Sequence, residues 1–145
     1  EEDARGFGAH HFVATGEKKT MTALARTLDV VVCTAFVAQD WKCLVSALRP
    51  NGTLCVVGVP EEPLRLPAGS LISGQRSVTG SAIGGRPAIR EMLEFAARHE
   101  VRARTQVRPM ADADAALAET REGRARYRVV LAHPDFRLGQ TDESG

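Results

Sequence analysis

Three apolar runs in this sequence end in small or hydroxyl-bearing residues, a pattern suited to holding a flat ligand. Asp29–Thr34 (DVVVCT) leads into Ala35, Thr53–Gly58 (TLCVVG) into Val59-Pro60, and Ser77–Ser81 (SVTGS) into Ala82-Ile83-Gly84-Gly85. Glycine lets a ligand touch the backbone, and a Thr or Ser hydroxyl can donate to a ribose or an amide. In an open parallel sheet, ligands sit beyond the carboxyl ends of the strands. Such a row suits a nucleotide or a nicotinamide ring. Small residues also end strands for ordinary turn geometry, so the row alone does not decide the matter.

The other reactive side chains point elsewhere. Cys33, Cys43 and Cys55 contain no Cys-x-x-Cys pair and are odd in number. That excludes a disulfide framework and a four-cysteine zinc site within the chain. Reduced thiols and a cytoplasmic location are expected. His10 and His11 are adjacent, and on a strand their rings point to opposite faces. His99 falls near a helix C-terminus, and Asp112 and Asp114 open a helix, where their charges suit the dipole. Arg121, Arg124, Arg126 and Arg128 read as a solvated basic face from which one arginine could reach a phosphate. The sequence contains no Gly-x-Gly-x-x-Gly, no Gly-x-x-x-x-Gly-Lys and no Gly-x-Ser-x-Gly.

These residues are carried by alternating elements. Glu1–Phe7 reads as a short helix stopped by Gly8, and His10–Ala14 as a strand. Glu17–Leu28 has helical spacing at Met21, Leu24, Ala25 and Leu28. DVVVCT and TLCVVG lack polar alternation, which predicts strands buried on both faces. Gln39–Leu48 between them is helical, and Pro50-Asn51-Gly52 breaks it. Pro60–Pro67 is an extended loop, and Leu71–Ser73 is an apolar island. Arg86–His99 is the clearest helix, with Pro87 in its first turn and Ile89, Met92, Leu93 and Ala96 on one face. Thr105–Val107 is a strand, Ala111–Arg121 a helix and Tyr127–Ala132 a closing strand. His133–Gly145 is a polar tail expected to be disordered. The alternation predicts an α/β protein with a parallel sheet.

Composition sets outer limits. The 145 residues suffice for one domain. Charges nearly cancel, 19 basic against 18 acidic, which argues against a nucleic-acid partner held by bulk charge. No apolar run approaches the ~20 residues of a membrane span, and the first ten residues do not read as a signal peptide.

The blocks FGAHHFV (Phe7–Val13), LDVVVCTA (Leu28–Ala35), Leu48–Gly85, EMLEFAARH (Glu91–His99) and RYRVVL (Arg126–Leu131) resemble, in order and spacing, the zinc-dependent medium-chain alcohol dehydrogenases. The likeness is to the cinnamyl-alcohol-dehydrogenase-like group. It implies a partial Rossmann-type parallel sheet lacking its first two strands, plus a C-terminal segment returning toward a catalytic domain that would lie upstream. Residues 1–100 would be the partial dinucleotide-binding domain and 101–132 a segment of the catalytic domain. The resemblance implies that Thr34, Gly58, Ser81, Ala82 and Ile83 hold the nicotinamide half of NADP or NAD, with Arg128 near the cofactor phosphates. It implies hydride transfer between a primary alcohol or aldehyde and NADP(H), with a zinc whose ligands lie outside this sequence. Without those ligands the chain is expected to be inactive alone. It also implies a homodimer through Leu71, Ile72 and Ser73. The absence of two central strands predicts marginal stability. Two other readings stay open on the residues: a methyltransferase-like Rossmann domain, and a non-catalytic self-association module.

Overall fold

In the computed structural model, residues 1–134 are described. Backbone contacts divide the chain into two compact units, Glu1–Ile83 and Gly84–Gly145. The expected boundary at residue 100 follows the family likeness rather than these contacts. The expected tail falls almost wholly outside the described residues.

The first unit contains α1 (Glu2–Gly6), α2 (Lys18–Ala23), β1 (Leu28–Cys33), α3 (Trp41–Ala47), β2 (Leu48–Val56), α4 (Ala68–Ile72) and β3 (Ser77–Gly80). Its sheet has the order β1-β2-β3, all parallel. Parallel neighbours need a crossover, and α3 supplies the one between β1 and β2. Asp40 starts that helix by accepting the Cys43 N–H at 2.9 Å. Trp41, Val45 and Ala47 form its buried face. Cys33, Trp41, Val45, Leu48 and Leu54 make the core, with Val31, Leu71 and Val78 packed against it.

The pairing extends further back than the apolar run TLCVVG. Leu48 already pairs with Leu28, and a bulge follows between Leu28 and Val30. The helix has already ended at Ala47, and Pro50-Asn51-Gly52, expected to break it, lies inside β2. Asn51 takes the left-handed conformation there, at φ 64°.

Several expectations need correction. Burial on both faces does not hold for DVVVCT: Val31 and Cys33 face the core, while Val30 is 60% and Val32 59% exposed. Helices α3 and α4 cover one face of the sheet only. His10–Ala14 forms no strand, because a strand needs a hydrogen-bonded neighbour and none pairs with this segment among the described residues. The helix expected over Glu17–Leu28 is limited to α2, after which Arg26 turns the chain at φ 60°. The island at Leu71 is the end of the short helix α4.

The second unit contains α5 (Arg86–Arg98), β4 (Thr105–Pro109), a 3-10 turn (Met110–Asp112), α6 (Ala113–Arg121) and β5 (Arg128–Ala132). β4 and β5 pair in parallel across α6. Arg108 on β4 meets Glu119 on α6 at 2.7 Å, and Ala116 on α6 is buried. Pro87 lies in the first turn of α5, where its missing N–H costs nothing. Ile89, Met92 and Leu93 on this helix are exposed. Among the described residues no helix is long and apolar enough to cross a membrane.

Candidate functional site

Hydrogen bonds lace the carboxyl ends of the three parallel strands together. The Cys33 carbonyl accepts from Val57 N–H at 2.9 Å and from Gly58 N–H at 3.1 Å. The Val56 carbonyl accepts from Ser81 N–H at 3.1 Å. Thr34, Gly58 and Ser81 therefore stand side by side at one edge of the sheet. Parallel pairing dictates this, since it brings like ends of successive strands together.

The three positions differ in character. Thr34 and Ser81 are exposed, as are Ala82 and Ile83 beyond them. Ile83 is 94% exposed. Gly58 is half-buried, and a Cβ built on it would lie 2.3 Å from the Ala35 carbonyl oxygen and 2.7 Å from the Thr34 and Ala35 carbonyl carbons. Its side-chain direction is filled by the backbone leaving β1. Arg128 begins β5 in the second unit, opposite Thr105, and is exposed.

Exposed apolar side chains follow the same strand ends. Phe36 and Val37 come after β1, and Val59, 84% exposed, comes after β2. Large apolar groups left in water at a sheet edge mark a surface that something covers. Residue-type reasoning names Val59 only as part of a strand end and does not single out Phe36 or Val37; the available signal was apolar residues inside loops. A cavity of about 230 Å³ lies between these loops, lined by Phe36, Val37, Ala38, Glu61 and Glu62. A second, of about 290 Å³, lies by α2 and α3 and is lined by Thr15, Gly16, Met21, Gln39, Asp40 and Cys43. Its only carboxylate, Asp40, is engaged in capping α3.

The cysteines do not converge. Cys33 is buried beside α3. Cys55 pairs with Val32 and so points to the opposite sheet face, and Cys43 lies on α3. Among the described residues no group of three His, Cys, Asp or Glu side chains could hold a metal ion. These residues do not fit a zinc site, and no chemical step through zinc is assigned to them.

The segment Leu71–Ser73 is divided. Leu71 packs against the core, while Ile72 is 76% exposed and Ser73 is exposed beside it. β3 nearby is an edge strand.

Comparison with known proteins gives a consistent picture. The family described as zinc-binding dehydrogenase matches residues 1–98. A probable mannitol dehydrogenase of Mesembryanthemum crystallinum is 34% identical over 131 residues, 90% of this chain and 36% of that protein. A probable formaldehyde dehydrogenase of Bacillus subtilis is 38% identical over 131 residues, 90% of this chain and 38% of that protein. A cinnamyl alcohol dehydrogenase from Sorghum bicolor superposes with a TM-score of 0.87 at 31% identity, covering 97% of this chain and 40% of that one. The CAD from Helicobacter pylori, solved with NADP(H), superposes at 0.74 with 30% identity, covering 90% and 37%. The chain thus spans well under half the length of these relatives.

Proposed function

This chain belongs to the zinc-binding dehydrogenase family, and on that premise we propose that it is the C-terminal, nicotinamide-binding portion of an alcohol dehydrogenase. The observation that carries the reading is the row of Thr34, Gly58 and Ser81 at the carboxyl ends of the strands, where Gly58 N–H donates to Cys33 and Ser81 N–H to Val56. Exposed hydroxyls at Thr34 and Ser81, and open backbone through Ala82 and Ile83, fit the amide and sugar of a nicotinamide nucleotide. Val59 and Ile83 offer apolar walls to a flat ring. For Arg128 a role at the cofactor phosphates is proposed on the family likeness alone.

The bound nucleotide supplies the hydride chemistry, exchanging hydride with a primary alcohol or aldehyde. The protein's part is positioning: strand-end groups fix one face of the ring, and the apolar rim excludes water around it. NADP(H) is favoured over NAD(H) by the complex of the Helicobacter pylori relative. The described residues provide no metal cluster. The chain by itself is proposed to oxidise no alcohol. Two copies are proposed to associate through Leu71, Ile72 and Ser73, beside the free edge of β3, and a cytoplasmic location remains part of the reading. Family membership removes the support for a methyltransferase.

The reading is tested by adding NADP⁺, and NAD⁺ in parallel, to the ¹⁵N-labelled chain. Amide shifts concentrated at Thr34, Ser81, Ala82 and Ile83 are expected. Shifts elsewhere only, or none with either nucleotide, contradict it.

A further inference from the structure

We propose that Gly58 is a positioning residue that acts through Thr34 rather than by touching the nucleotide. The proposal rests on the nicotinamide-binding reading above. Gly58 lacks a side chain because another part of the chain occupies its place. A Cβ there would meet the Ala35 carbonyl oxygen at 2.3 Å and two carbonyl carbons at 2.7 Å. All are backbone atoms, which cannot swing aside as a flexible side chain would.

This close approach is coupled to a double hydrogen bond. The Cys33 carbonyl accepts from both Val57 and Gly58 N–H, at 2.9 and 3.1 Å. Together they draw the chain leaving β1 across the end of β2, with the Thr34 and Ala35 carbonyl groups seated on Gly58. Thr34 is thereby held in the same row as Ser81, whose own N–H is anchored to Val56. A methyl group at position 58 lifts the Thr34–Ala35 backbone, the Ala35 carbonyl first, and breaks one or both bonds to Cys33. Ser81 keeps its anchor. A ring held by Thr34 and Ser81 together would then lose one of its two holds.

Gly80 is a useful contrast. A Cβ there has its nearest contact at 3.9 Å, ordinary van der Waals distance. The steric demand is therefore specific to Gly58 among the strand-end glycines of β2 and β3.

The test uses the full ¹⁵N,¹³C-labelled chain in three forms: wild type, Gly58→Ala and Leu48→Val. Leu48 lies at the other end of β2 and is fully buried, so Leu48→Val lowers stability without touching the strand-end row. In wild type, proton contacts between the Gly58 methylene and the amides that follow the Thr34 and Ala35 carbonyls, those of Ala35 and Phe36, are expected; their absence overturns the proposal whatever the variants do. In Gly58→Ala, loss of hydrogen-exchange protection at Val57 and residue 58 is expected, with shifted Thr34 and Ala35 amides. The NADP⁺-induced shift at Thr34 disappears while that at Ser81 remains. Leu48→Val keeps both shifts in its folded fraction. Unchanged Thr34 and Ala35 amides in Gly58→Ala, or equal loss of the Thr34 response in Leu48→Val, overturns it. If wild type gives no NADP⁺ response, the nicotinamide reading fails, and the methylene contacts still decide whether Gly58 seats the peptide. If Gly58→Ala does not fold, the same wild-type contacts decide.

Discussion

The hydroxyl of Thr34 and the missing side chain of Gly58 make opposite contributions at the same strand ends. Thr34 is exposed and takes no part in the core, so replacing it should matter for binding and little for folding. Thr34→Val keeps the shape and removes the donor. Its stability should stay within about 0.5 kcal/mol of wild type, as for most surface changes. NADP⁺ binding should weaken by about 0.5–1.5 kcal/mol, the net worth of one hydrogen bond, or roughly two- to tenfold. Thermal unfolding and an NMR titration measure the two effects separately, and an unchanged affinity removes Thr34 from the site. Thr34 and Ser81 were legible in the sequence because hydroxyl residues closed unmistakable apolar runs. The reason for Gly58 was not, since no local pattern reveals which distant backbone fills a glycine's empty side.

Among the elements, α4 and β2 are joined by one cation. The Arg76 guanidinium donates to the Leu48 carbonyl and to the Ser70 carbonyl, both at 3.0 Å. It thus ties the middle of α4 to the start of β2. Arg76→Ala strips charged donors from two carbonyls, and hydrogen bonds to charged groups are worth about 1.5–3 kcal/mol. A loss of that order in urea unfolding is expected, with faster proteolysis between Pro60 and Gly74; an unchanged urea midpoint contradicts the tie. The same helix also separates two kinds of dimer variant. Ile72 is exposed and Leu71 packs on the core. Ile72→Asp should lower the mass seen by light scattering while the chain stays folded, whereas Leu71→Asp should unfold it. A mass unaffected by Ile72→Asp counts against that interface. Existence and type of β1, β3, α5, α6 and β5 were legible from periodicity and from Pro87. The extent of α2 and the fate of His10–Ala14 were not, because both depend on neighbours that no local pattern specifies.

For the whole molecule, the decisive feature of the first unit is a sheet with one covered face. Val30 and Val32 are about 60% exposed on β1, which pairs on one side only among the described residues. An exposed apolar edge strand is a template for pairing with other chains. An uncovered sheet face also forgoes burial worth about 25 cal/mol per Å². The expected behaviour is marginal stability and concentration-dependent association. Val32→Thr retains the branched shape and adds a polar group on the open face. It should reduce aggregation in light scattering at little cost to folding, while a highly stable, reversibly unfolding wild-type monomer contradicts the account. The parallel arrangement was legible from DVVVCT and TLCVVG, but their lack of alternation reported strand type rather than the presence of a covering layer. The central claim is that the strand-end row binds the nicotinamide half of the nucleotide. Saturation-transfer NMR of NADP⁺ with the full chain tests it most directly. Strong transfer to the nicotinamide ring protons and weaker transfer to adenine is the predicted result; transfer to adenine alone, or to neither ring, contradicts the claim.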